Sequence, residues 1–230
     1  MFAISGYFAN LMVCTPAWIR IGVTMYNDHA KAFLSFSKKM KEQHGGNPDL
    51  PVDAIEMLEK GELTLEHDPN YVKAKATQEL IKYAWQTYHQ NWTIIRNATE
   101  YPFMTSDNPV AIQQSANPRE PATRYLPITP ALCLSVRYDR NKLPPFDPTL
   151  PPRGSVAWAT VKPDGAKAIN KLVAQCAEDL VFSSTESSGV QALVKNCASF
   201  RVESEFVQFP ASEPDAVYQG TIIRVRDTRK

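Results

Sequence analysis

Asp107 is the residue of this 230-residue chain whose neighbours best equip it for chemistry. It stands in Thr105-Ser106-Asp107-Asn108-Pro109, four small polar side chains between the apolar pairs Phe103-Met104 and Val110-Ala111. Asp, Asn and Ser bond nearby backbone groups and Pro109 fixes its own φ, so the segment reads as a rigid, oxygen-rich turn after a strand. Aimed into a cleft, Asp107 would hold a divalent cation or activate a water, and Asn108 would position a substrate. Thr105 and Ser106 would line the same pocket. The reaction this suits is hydrolysis of a phosphodiester or a related small substrate. Such sites ordinarily use two or more acidic ligands, and Glu100, Asp164 and Glu178 are the other acids considered. The competing reading is an Asx-type corner, in which the carboxylate and amide are consumed by main-chain groups.

Two further residues are candidates to line that pocket. Asn170 falls among small and apolar neighbours in a helical pattern, where its amide lowers helix propensity and so calls for a partner in a neighbouring loop or a ligand. Arg96 ends the apolar run Trp92–Ile95 and could offer a guanidinium to a phosphate or to Asp107. Arg20 follows an apolar run in the same way, and for both arginines an internal ion pair is the expected outcome. His29, His44, His67 and His89 show no metal-binding spacing. Cys14, Cys133, Cys176 and Cys197 contain no Cys-x-x-Cys, so thiolate metal sites gain no support. Cys133 and Cys176 are expected as buried thiols in a reducing cytoplasm.

The order of these segments also resembles a known family. Phe103-Met104-Thr105-Ser106-Asp107-Asn108-Pro109-Val110 is followed by Tyr125-Leu126-Pro127-Ile128-Thr129-Pro130, then by a helix with Asn170, then by Val181-Phe182-Ser183-Ser184. This pattern is similar to the mostly bacterial family called domain of unknown function 4238, from about Ser5 onward. The first motif departs from the family's pattern at Met104 and the second at Ile128 and Thr129. The resemblance implies no assigned activity. Family members usually carry a His-x-x-Pro-type segment before the first long helix; none matches here, so no site histidine is expected from it.

Composition narrows the class. Hydrophobic residues make up 43% and charged residues 21%, ordinary values for a globular protein able to bury a substantial core. A net charge of +1 supplies no global field for nucleic acid or anionic membrane. The basic groups Lys38, Lys39, Lys41 and Arg224, Arg226, Arg229, Lys230 are too small to form a nucleic-acid stripe. Met1 to Tyr26 is apolar, yet its first positive charge is Arg20, so it lacks the basic start of a secretory leader. Pro16 and Arg20 interrupt a membrane span of about 20 residues. A buried amphipathic helix is expected instead. Without secretion the triplets Asn91-Trp92-Thr93 and Asn97-Ala98-Thr99 carry no glycosylation meaning.

These segments imply an α+β fold: an N-terminal helical layer on a mostly antiparallel sheet, with one or two further helices. Residues 1–90 read as helical and residues 91–230 as the α+β part. The first third predicts two helices, or one bent at Cys14-Thr15-Pro16, then a breaker at Gly45-Gly46-Asn47-Pro48 and a short helix from Val52 to Lys60. One helix with a stripe of Val72, Ala76, Leu80, Ile81, Ala84, Trp85 and Tyr88 follows Asp68-Pro69. Strands are predicted at Trp92–Arg96, Phe103–Met104, Val110–Gln113, Ala131–Val136, Ser155–Thr160, Ser199–Phe209 and Thr221–Val225. Asp164 is read as capping a helix that presents Ile169, Leu172, Val173 and Cys176, with a short helix at Val190–Lys195 after it. The proline-laden connections Ser115–Thr123 and Asn141–Arg153 are stiff loops, and the second could dock a protein partner as an extended segment. The functional alternative to a hydrolase is therefore a non-catalytic protein-binding or structural module.

Overall fold

The computed structural model describes residues 2–44, 56–58, 60–64, 66–115, 122–139, 147, 155–210 and 217–229. The breaker at 45–48 and the proline-rich stretches at 143–146 and 150–152 lie outside them. The chain opens with α1 (Phe2–Val13) and α2 (Pro16–His44), bent by 65° where Pro16 starts the second helix. Pro has no N–H to give and is accepted at a first helical position, so the break falls just before it. Of the expected short helix, residues 56–58 are helical. Gly61, at φ 72°, stops the chain there, with its N–H on the Leu58 carbonyl and that of Glu62 on the Met57 carbonyl.

The long helix expected after Asp68 is two: α3 (Pro69–Gln78) and α4 (Leu80–Tyr88), separated at Glu79. The Asp68 side chain accepts from the Asn70 N–H and caps α3. Part of the stripe faces outward. Val72, Ala76, Ala84 and Trp85 are buried, whereas Ile81 is 63% exposed.

The main sheet has the order β3-β4-β5-β1-β6, built from β1 (Asn91–Asn97), β3 (Ala111–Gln113), β4 (Thr123–Thr129), β5 (Leu132–Arg137) and β6 (Ser155–Val161). All neighbours run antiparallel except β1 and β6, which are parallel. β2 (Thr105–Ser106) pairs with β7 (Val181–Phe182), and β8 (Phe200–Pro210) with β9 (Val217–Asp227). The predicted strand at Phe103–Met104 begins two residues later. β4 was not expected, because Pro127 and Pro130 suggest a loop; a register shift between Pro127 and Thr129 accommodates the proline.

Period-two alternation sends successive strand residues to opposite faces, and both faces are covered over the middle of the sheet, while β6 is exposed. Trp92, Leu134 and Val136 meet Phe8, Met12 and Val13 of α1 and Ala76 of α3. Phe8 stands edge-on to Trp92 at 5.6 Å. On the other face Cys133 and Ala111 pack with Ile21 of α2, Val202 of β8, and Ala166, Ile169 and Val173 of α5 (Pro163–Cys176). Lys162, not Asp164, is the N-cap residue of α5; Pro163 occupies the first position and Asp164 the first turn. The last helix, α6 (Ser188–Cys197), is capped by the Ser187 hydroxyl on the Val190 N–H. The fold is α+β with mostly antiparallel sheets. Among the described residues no single helix is long and apolar enough to cross a membrane.

Candidate functional site

The turn after Met104 is stitched into its surroundings at every polar position but one. Both oxygens of Asp107 accept main-chain hydrogen bonds: Oδ1 from Glu178 at 2.9 Å, Oδ2 from Asp179 at 2.8 Å and Leu180 at 3.2 Å. The Asp107 N–H returns a bond to the Leu180 carbonyl at 3.1 Å. Three successive amides converge on one carboxylate, a set of donors of the kind that elsewhere receives a phosphate or another anion. Here the anion comes from the chain itself.

Asn108 is buried. Its Oδ1 accepts from the Thr15 hydroxyl at 3.2 Å and its Nδ2 donates to the Cys176 carbonyl at 2.9 Å. The Ser106 hydroxyl, also buried, donates to the Asn108 carbonyl at 2.9 Å. Thr105 joins through its backbone, opposite Phe182. Asn170 has the partner its helical position calls for: Oδ1 accepts from the Met104 N–H at 3.0 Å and Nδ2 donates to the Pro102 carbonyl at 2.8 Å. These bonds fasten residues 102–108 to the bend between α1 and α2, to α5 and to the turn that follows α5.

Arg20 completes the arrangement from one step away. Its guanidinium grips Glu178 with two bonds, at 2.7 and 3.0 Å, and donates a third to the Val202 carbonyl at 2.8 Å. The hydrogen bond to Glu178 raises its pKa further, against the opposing effect of burial. Glu178, considered as a second acidic ligand beside Asp107, gives Asp107 a main-chain N–H and gives its carboxylate to Arg20. Glu100 and Asp164 are exposed. Among the described residues no group of three or more His, Cys, Asp or Glu is placed to hold a metal. Burial pushes the Cys133 and Cys176 thiols up to about 12, which makes them poor nucleophiles and poor ligands.

Arg96 stands apart from the turn. It lies opposite Thr160 in the parallel β1–β6 ladder, with Trp158 opposite Ile94, so Arg96, Trp158 and Thr160 share one face of the sheet. With Ala159 they bound a cavity of ≈320 Å³. Arg20 forms the expected internal ion pair, but Arg96 does not: it is exposed, and its guanidinium makes no hydrogen bond or ion pair among the described residues. The Trp158 side chain is 65% exposed, unlike Trp85 and Trp92, which are buried. Of this group only Arg96 was a site candidate from sequence. Val156, Trp158 and Thr160 alternate with Ala157 and Ala159 as a core-facing strand would, and nothing in that pattern marks an exposed edge.

The fold and these two clusters describe an α+β protein with a clasped polar turn and an open, cationic sheet edge. The profile of the family described as Protein of unknown function (DUF4238) matches residues 13–187, and the chain belongs to that family. The match includes the turn, the Asn170 helix and β6; residues from Ser188 onward lie outside it. No curated protein and no solved structure matches the chain.

Proposed function

We propose that this chain is a non-catalytic recognition protein whose ligand-facing group is Arg96. The observation that carries the reading is the exposed guanidinium, without an acceptor among the described residues, beside a cavity of ≈320 Å³ and the exposed indole of Trp158. A guanidinium, an indole and a hydroxyl together suit a ligand with an oxyanion next to a flat or apolar group. The volume is at the small end for a ligand pocket, as expected for a site that grips one group of a larger partner.

In this reading Thr105, Ser106, Asp107, Asn108 and Asn170 are a clasp. For metal-assisted hydrolysis Asp107 would have three of its roughly four lone-pair sites already engaged; releasing the part-buried Glu178 N–H costs about 1–3 kcal/mol, and releasing the exposed Asp179 and Leu180 N–H groups costs less. A reducing, cytoplasmic setting belongs to the same proposal, supported by four free thiols.

The test is calorimetric titration of the full chain with phenyl phosphate and phenylacetate, with tryptophan emission followed in parallel. The expected result is a Kd on the order of 1 mM, about −4 kcal/mol, weakened several-fold by Arg96→Ala and losing its emission change in Trp158→Phe. Binding that ignores both substitutions, or no binding at all, would remove the proposal.

A further inference from the structure

We infer that the free edge of β6 takes up an extended polypeptide segment carrying a carboxylate, in effect a sixth strand on the main sheet. The inference rests on Arg96 being the ligand-facing group and names the class of ligand. β6 is the last strand of its sheet, and Ser155 to Thr160 are all exposed. Among the described residues no strand pairs with its outer side.

Exposed edges are ordinarily blunted by charge, proline, a bulge or brevity. Ser155-Val156-Ala157-Trp158-Ala159-Thr160-Val161 has no charge and no proline, runs for seven residues, and keeps an unbroken register with β1. Among the described residues its outward main-chain groups have no partner, the arrangement from which peptides are captured by strand addition.

Charge identifies the occupant. Residues 91–97 and 155–162 contain two cations, Arg96 and Lys162, and no acid. Both cations are exposed, and neither forms an ion pair among the described residues. An added strand would lie two strand spacings, about 10 Å, from β1. Long Arg and Glu side chains can bridge that distance over the small Thr160, which sits between them on the same face. Trp158 would cover the neighbouring apolar side chain of the incoming segment. A second copy of β6 would bring two uncharged strands together and leave both guanidinium groups without a partner. An acidic extended segment satisfies the edge and the charge at once.

The experiment uses the full chain and fluorescein-labelled seven-residue peptides of alternating Thr and Val, with one Glu walked along the length. At least one Glu position is expected to bind roughly 10-fold more tightly than N-acetylglutamate amide. Glu→Gln in that peptide should weaken binding about 3- to 10-fold in the wild type. In Arg96→Ala that discrimination should vanish, with the variant's fold checked by circular dichroism. N-methylation of alternate peptide amides should abolish binding, since it blocks strand pairing and leaves the protein unchanged. Peptides no tighter than N-acetylglutamate amide, or indifferent to N-methylation, overturn the inference; if phenylacetate still binds through Arg96, the proposed function stands without it. A concentration-dependent dimer in sedimentation, lost in Ala157→Lys, would assign the edge to a second copy and overturn it as well. Failure of both peptides and small anions removes both proposals.

Discussion

Replacing Asp107 separates a clasp from a catalytic carboxylate. In Asp107→Ala three main-chain N–H groups lose a charged acceptor. A hydrogen bond to a charged group contributes about 1.5–3 kcal/mol, and the half-buried Glu178 N–H should lose most of one such bond. The bonds to Asp179 and Leu180 are exposed, water can replace them, and each counts for about 0.5–1 kcal/mol. The expected loss is therefore about 3 kcal/mol, or a Tm lowered by roughly 6–12 °C for a chain of this size. Asp107→Asn should cost nearly as much, within about 1 kcal/mol. An amide has one oxygen, and its NH₂ would face at least one of the converging N–H donors. Urea unfolding, with an unchanged m-value, measures both variants. If Asp107→Asn stays within about 0.5 kcal/mol of the wild type, as surface substitutions usually do, the clasp argument is refuted.

Three further outcomes follow from the packing. Gly22→Ala should destabilise by about 1–3 kcal/mol despite the better helix propensity of alanine. A Cβ there would stand 2.4 Å from Val72 Cγ1, and Val72→Ala in the same chain should recover part of the loss in urea melts. Asn170→Ala should cost about 2–4 kcal/mol, because the Met104 N–H and Pro102 carbonyl both lose their partner. The Cys133 and Cys176 thiols, held neutral by burial, favour the folded state fully below their ordinary value of 9.0 and stop doing so as pH rises towards about 12. Urea midpoints should therefore fall between pH 9 and 11, and the fall should be shallower in Cys176→Ala; at pH 8 a thiol reagent should modify half-exposed Cys14 first.

The local rules carried most of the elements. Pro16 announced the bend between α1 and α2, Asp68 the start of α3, and the Phe103–Pro109 pattern the turn itself. What the sequence hid was long-range. The amides that occupy Asp107 come from residues 71 to 73 positions further on, so no local pattern distinguishes a carboxylate bound by its own chain from one facing a cleft. Trp158 was misleading in the opposite direction. Its alternating strand looks like core, but sheet order places it outermost, beyond the cover that α1 and α3 give to Trp92. β4 was missed because proline usually argues against a strand, and only the pairing partner shows where the register gives way.

The proposed function requires ligands to meet this chain at Arg96 and Trp158 while the amides around Asp107 stay closed to them. A ¹⁵N-correlated NMR titration of the full chain with phenyl phosphate, then with Mg²⁺, tests it directly. Movement of the Trp158 indole N–H and the Arg96 side-chain N–H is expected during the phosphate titration. The amides of Glu178, Asp179 and Leu180 should hold their positions throughout. Shifts of those three amides with either titrant, and a still Trp158, would contradict it.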